Sequence, residues 1–200
     1  MSPISTALGA MLCASIATTA QAAFITIGNQ ALWTQFVTGN GWQVATETFN
    51  QVPDGYANTY SGSISGIAWT GSAVHGIYAQ DGLFSTNEAE PLTFTFSPGV
   101  KGVGGNIFGT DFSFNVVPCV IQVTLADGTS YLNYATTAMD FVGFYSTGAA
   151  ISTLTIQATG TGAGSVYPTV DNLYFTVVPA PGAIALFGFA GLGATARRRR

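Results

Sequence analysis

One histidine, nine carboxylates and two cysteines hold most of the reactive chemistry in this 200-residue chain. His75 lies in "SAVHGIY", and a Ser-His-Asp relay would need a carboxylate to orient it and a serine to attack. No G-x-S-x-G nucleophile turn is present. A carboxylate pair for glycoside hydrolysis is formally available among Glu47, Asp54, Asp81, Glu88, Glu90, Asp111, Asp140 and Asp171, yet their spacing selects no pair. No catalytic residue is assigned. The chain reads as a non-enzyme, with a polysaccharide hydrolase as the remote alternative.

Binding chemistry has more candidates. Hard cations take oxygen ligands from carboxylates, amide side chains and backbone carbonyls. Glu47 and the pair Asp171-Asn172 fall on strands expected to be neighbours, so they are the candidate calcium ligands. The competing reading makes Glu47 a solvated strand residue and leaves Asp171 or Asn172 bonded to a loop backbone. Sugar faces stack on exposed aromatic rings while polar groups fix their orientation. Trp42, Tyr56, Tyr60, Trp69 and Tyr78, interleaved with Asn58, Gln80 and Asn87, are the candidate carbohydrate-binding set. Against this stands the ordinary fate of tryptophan, which for Trp42 and Trp69 is to cap the core.

Charge narrows the partners. Asp, Glu, Lys and Arg make up 7% of the chain, against about a quarter in soluble domains generally. All nine acidic residues lie between Glu47 and Asp171, a stretch with one base, Lys101. Such a body repels nucleic-acid phosphates. Cys13 belongs to the N-terminal segment, which leaves Cys119 without an internal disulfide partner and reading as a small apolar strand residue.

The elements that must position these residues read as mostly β. Low charge with abundant Gly, Thr, Phe and Tyr suits pleated surfaces. "FITI" (24–27) reads as a strand, and Asn29 as the N-cap of a short helix, "QALWTQFVTG", with Leu32, Trp33, Phe36 and Val37 on one face and a stop at Gly39-Asn40-Gly41. Then "LTFTF" points Leu92, Phe94 and Phe96 one way, and "DFSFNV" points Phe112, Phe114 and Val116 inward. "IQVTL" comes next, and Asp127-Gly128 reads as a two-residue hairpin turn leading into "TSYLNY". "DFVGFYS", "ISTLTIQA" and "VDNLYFTV" complete the alternating runs. Residues 51–90 read as long loops over one end. This spacing predicts an all-β fold, an antiparallel β-sandwich with one short N-terminal helix, spanning residues 23–177.

Both ends read as addresses. "MSPISTALGAMLCASIATTAQAAF" has an apolar run followed by Ala20-Gln21-Ala22, an A-x-A pattern that predicts a signal peptide over 1–22 and a mature start at Ala23. At the other end, Ala183–Ala196 is a short stretch of apolar or small residues, ended by Arg197, Arg198, Arg199 and Arg200. A spanning helix takes about 20 apolar residues, so this one would hold a bilayer only marginally, with the arginines keeping the terminus cytoplasmic.

The segment "VPAPGAIALFGFAGLGATARRRR" resembles the bacterial PEP-CTERM sorting signal: a Pro-x-Pro motif, a hydrophobic segment, then a terminal Arg cluster. Ala180 stands where the family places glutamate, giving Pro179-Ala180-Pro181-Gly182. The resemblance covers residues 178–200 as a sorting signal. It implies an exosortase-type membrane protease as partner, transient insertion of a C-terminal transmembrane helix, cleavage near Pro179–Gly182, and delivery to the Gram-negative envelope or outside the cell. The alternative is a permanent single-span anchor. "TETFNQVPDG" and "VDNLYFTV" look like the opening and closing strands of jelly-roll domains common among such exported proteins, in which those strands often lie side by side. The resemblance thus sets the expectation of a secreted surface protein that associates with exopolysaccharide in biofilm matrix or envelope. The alternative expectation is a structural matrix protein that self-associates through a sheet edge.

Overall fold

The structure, a computed structural model, describes residues 23–160, 162 and 164–177. The signal-peptide and sorting-signal readings lie outside the described residues, apart from Ala23, which is exposed just before the first strand.

Among the described residues thirteen strands form one antiparallel sheet. They are β1 (Phe24–Ile27), β2 (Gln43–Glu47), β3 (Gly55–Ile64), β4 (Ile67–Gln80), β5 (Leu83–Thr86), β6 (Leu92–Phe96), β7 (Gly102–Thr110), β8 (Val116–Val117), β9 (Cys119–Leu125), β10 (Ser130–Ala135), β11 (Phe141–Ser146), β12 (Thr153–Gly160) and β13 (Tyr167–Val177). The order is β1-β11-β7-β13-β5-β4-β6-β12-β9-β10, with β2 beside β13, β3 beside β4 and β8 beside β7. The sheet curls almost into a barrel, bringing β7 and β13 over β9 and β12 across a core that includes Phe84, Phe94, Ile121, Leu154 and Phe175. Antiparallel pairing of β2 with β13 sets Glu47 opposite Leu173 and Gln43 opposite Val177.

Helix α1 (Gln30–Gly39) follows from its cap. The Asn29 side chain accepts the Leu32 N–H at 3.0 Å, satisfying a donor that the first turn cannot. Trp33 and Val37 are fully buried on the outside of the sheet, with Phe36 against Tyr145. Leu32, expected on the same face, is exposed. The buried stripe is confined to Trp33 and Val37, and Trp33 approaches the sheet closely over glycine. A Cβ on Gly143 would lie 2.4 Å from the Trp33 indole, and Gly104 is its register partner on β7.

Three expectations are overturned. Residues 51–90 are chiefly strands, β3, β4 and β5, rather than long loops. Their inward positions include Gly62 and Gly71, which face Trp69 and Tyr60 across the β3–β4 pair, so no run of large apolar residues betrays them. "DFSFNV" is mostly a turn: Asp111 accepts the Ser113 and Asn115 N–H groups, Phe114 takes φ 62°, and Phe112 stands 85% exposed. An Asx-type side-chain bond outcompetes the strand ladder there. The hairpin after β9 has three loop residues. Leu125 exchanges hydrogen bonds with Gly128 and Thr129, and among the loop residues Gly128 alone takes positive φ (87°), the pattern of a type I turn closed by a bulge.

Candidate functional site

At one end of the sheet the 111–115 turn, the close of β4, the stretch after β5 and the start of β13 converge on a groove of about 360 Å³. Its walls carry Tyr78, Phe112, Phe114 and Tyr167, with Gln80, Asn87 and Asp111 as polar groups. Each is placed by a local rule. Tyr78 and Gln80 alternate outward from β4 while Ile77 and Ala79 enter the core. Tyr78 and Phe114 pack with ring centroids 6.0 Å apart and planes 48° apart. Behind the lining residue Ser85 lies a chain of buried hydroxyls: Thr169 donates to Ser85 at 2.9 Å and accepts from Thr110 at 2.8 Å.

Asp111 organises the turn that carries both phenylalanines. Its Oδ1 accepts the Ser113 and Asn115 amides at 2.8 and 3.0 Å, and its Oδ2 accepts the Asn115 side-chain amide at 3.0 Å. Those bonds, the Asn115 side chain foremost, hold its carboxyl below the usual aspartate value.

Tyr56 extends the aromatic surface. It is the register partner of Tyr78, 56% exposed, with its hydroxyl donating to Asn58 and its ring against Gly76. Tyr60 faces the other way. The β3–β4 register jumps between Ala57 and Thr59, so Tyr60 points inward against Phe84 and donates to the Pro53 and Gly55 carbonyls. Burial raises its phenol above the ordinary value, with the Asp54 charge adding to the shift. Trp69 is 2% exposed and donates to Glu47, leaving no ring face for a ligand. Trp42 is half-buried beside α1 and donates to the Tyr145 hydroxyl at 2.9 Å. Of the five aromatic candidates, Tyr78 lines the groove and Tyr56 stands beside Tyr78 on the neighbouring strand; Tyr60, Trp69 and Trp42 are structural.

Asp111, Phe112, Phe114 and Tyr167 were not legible as site residues. Phe112 and Phe114 sit at alternating positions that imitate a strand. The available signal was Asp111, followed by Ser113 and Asn115, which favours a turn.

The calcium expectation meets a register problem. Glu47 lies opposite Leu173, a core residue, so its side chain is on the inner face. Both its oxygens are engaged, by the Trp69 indole and the Phe49 amide. Asp171 lies opposite Asn106, whose side chain meets Tyr174 on the α1 side. Asn172 is the bulged residue between them, at φ 58°. One cation shared by Glu47 and Asp171 does not fit this arrangement. Among the described residues no three His, Cys, Asp or Glu side chains converge.

His75 occupies an outward bulge in β4, where three more residues are accommodated than in β3. Glu90 clamps it, one oxygen accepting the His75 backbone N–H at 2.6 Å and the other 2.9 Å from Nδ1. A larger depression of about 810 Å³ lies between α1 and Met139–Phe141. Its one carboxylate, Asp140, is already bonded to the Thr136 and Thr137 amides, and Phe141 is its one aromatic ring, so the smaller groove has the stronger binding chemistry.

The chain matches no family model, and no curated protein matches it. Among the described residues, no helix is long and apolar enough to cross a membrane.

Proposed function

We infer that this is an exported envelope or extracellular-matrix protein that holds exopolysaccharide in the groove walled by Tyr78, Phe112, Phe114 and Tyr167. The observation that carries the reading is the convergence of four aromatic rings with Gln80, Asn87 and Asp111 in one open groove. Aromatic walls take the apolar faces of sugar rings, and amide and carboxylate groups take their hydroxyls. The low charge and acidic balance of the body favour a neutral polymer over a polyanion. Binding is noncovalent, and no catalytic step is assigned.

The sorting half of the proposal rests on the resemblance of residues 178–200 to a PEP-CTERM signal. An exosortase-type protease would cleave near Pro179–Gly182 and release the body, a jelly-roll-like sandwich, from the inner membrane. Pairing of β2 with β13 is consistent with that finer fold assignment.

Calorimetry with neutral and acidic oligosaccharides tests the binding half. Saturable binding lost in Tyr78→Ala and Phe112→Ala supports it; unchanged binding in both variants rejects the groove. A second reading, self-association through a sheet edge, is favoured by β10. That strand ends the sheet with Leu132 and Tyr134 exposed. Sedimentation velocity across a concentration series, without glycan, decides it.

A further inference from the structure

Six strands, β3, β4, β6, β12, β9 and β10, form the half of the sheet away from α1, and none carries an Asp, Glu, Lys or Arg. An exposed sheet face usually mixes charges of both signs among its polar positions. Here two lines of outward positions are hydroxyls in register, with Gln122 and Gln157 beside them and Leu132 and Tyr134 exposed on the edge strand β10. Thr59, Ser72, Thr93, Thr155, Thr124 and Ser130 are successive cross-strand partners, making one unbroken row over all six strands. At the inter-strand repeat this row is about 24 Å long. Ser61, Thr70, Thr95 and Thr153 form a parallel row beside it. Side-chain bonds tie neighbours together within the rows, Ser61 to Thr70 at 2.8 Å and Thr93 to Thr155 at 3.3 Å. Those four hydroxyls are therefore pre-oriented.

We propose that this hydroxyl-lined face is a second binding surface, for a neutral, extended polysaccharide laid across the strands. The chemistry selects the occupant. Hydroxyls donate and accept, matching sugar hydroxyls in either sense, and threonine methyls offer apolar contact between them. Uncharged groups lose little on desolvation compared with ions. A polyanion is repelled by the acidic residues on the rest of the body. A protein partner would look for aromatic or arginine anchors; neither row contains one, and the exposed Tyr134 lies outside both rows on the edge strand β10. The proposal deepens the polysaccharide reading but does not depend on the groove, because the two surfaces share no residue.

The test is a pull-down of the full chain on insoluble neutral β-glucan, with alginate as the acidic control. Thr95→Lys/Gln157→Lys places charge on the face, and Thr93→Val/Thr155→Val removes a bonded hydroxyl pair while keeping shape, a change that costs the fold little. We expect the exposed-site control Met139→Ala to bind β-glucan like wild type, and both face variants to bind about tenfold more weakly. Circular dichroism and melting confirm that each variant is folded. Equal β-glucan binding by wild type and folded face variants overturns the face, as does no wild-type binding to β-glucan. Loss of binding in Tyr78→Ala alone assigns the polymer to the groove instead. A dimer in sedimentation that the lysine variant dissolves also overturns the proposal, identifying a second copy as the occupant.

Discussion

The carboxylate of Glu47 accepts the indole N–H of Trp69 at 2.9 Å, joining the end of β2 to the first half of β4. Its other oxygen accepts the Phe49 amide, and Phe49, at φ 57°, packs edge-on to the same indole with centroids 5.3 Å apart. One side chain thus satisfies a buried indole and holds a left-handed turn whose phenyl ring enters the core.

Replacing Glu47 should expose that dependence. Glu47→Ala leaves the Trp69 N–H buried without an acceptor, at a cost of about 1–3 kcal/mol. Glu47→Gln retains an acceptor and should cost less. In a Trp69→Phe background Glu47→Ala should cost less than in wild type, because the indole donor is already gone. Urea midpoints for the four-member cycle measure the coupling.

Close approach of α1 depends on Gly143. Gly143→Ala drives a methyl into Trp33, and overpacking of this kind costs roughly 1–3 kcal/mol. The Trp33 indole also donates to the Phe144 carbonyl at 3.2 Å, so displacing the ring breaks that bond. A lower thermal midpoint with a changed Trp near-ultraviolet signal is the expected result.

Acid should open the groove. The folded-state pKa of Asp111 is depressed, so its stabilisation of the turn is complete above the ordinary aspartate value and is lost as pH falls through the lower folded value. The Ser113 and Asn115 amide resonances should shift together across that range. Asp111→Ala should release the turn at every pH and weaken any oligosaccharide binding that Tyr78→Ala weakens.

Asp171 should have the opposite sign. Burial raises its folded pKa, partly offset by the Asn172 backbone N–H. The folded state then holds this proton more readily than the unfolded chain, so stability falls as pH rises from the ordinary aspartate value through the raised one. Asp171→Asn should remove that slope and be more stable than wild type at neutral pH, measured by denaturation from pH 3 to pH 7.

Short-range chemistry is legible in the chain. Asn29 caps α1 because its side chain reaches a donor three residues away, and "LTFTF" and "CVIQVTL" declare their faces because alternation needs only neighbours. Long-range pairing set the rest. β7 is buried along its whole length, with no alternation to read, because both of its faces are covered. Tyr56 and Tyr60 are four residues apart, a spacing that puts both on one face of a regular strand. The jump in register against β4 sends Tyr56 out beside Tyr78 and Tyr60 into the core. Glu47 and Asp171 fall on paired strands as expected, yet register and the bulge at Asn172 set them on opposite faces. Such offsets arise from contacts between strands far apart in the chain, and a single inserted residue reverses which side chains meet the solvent.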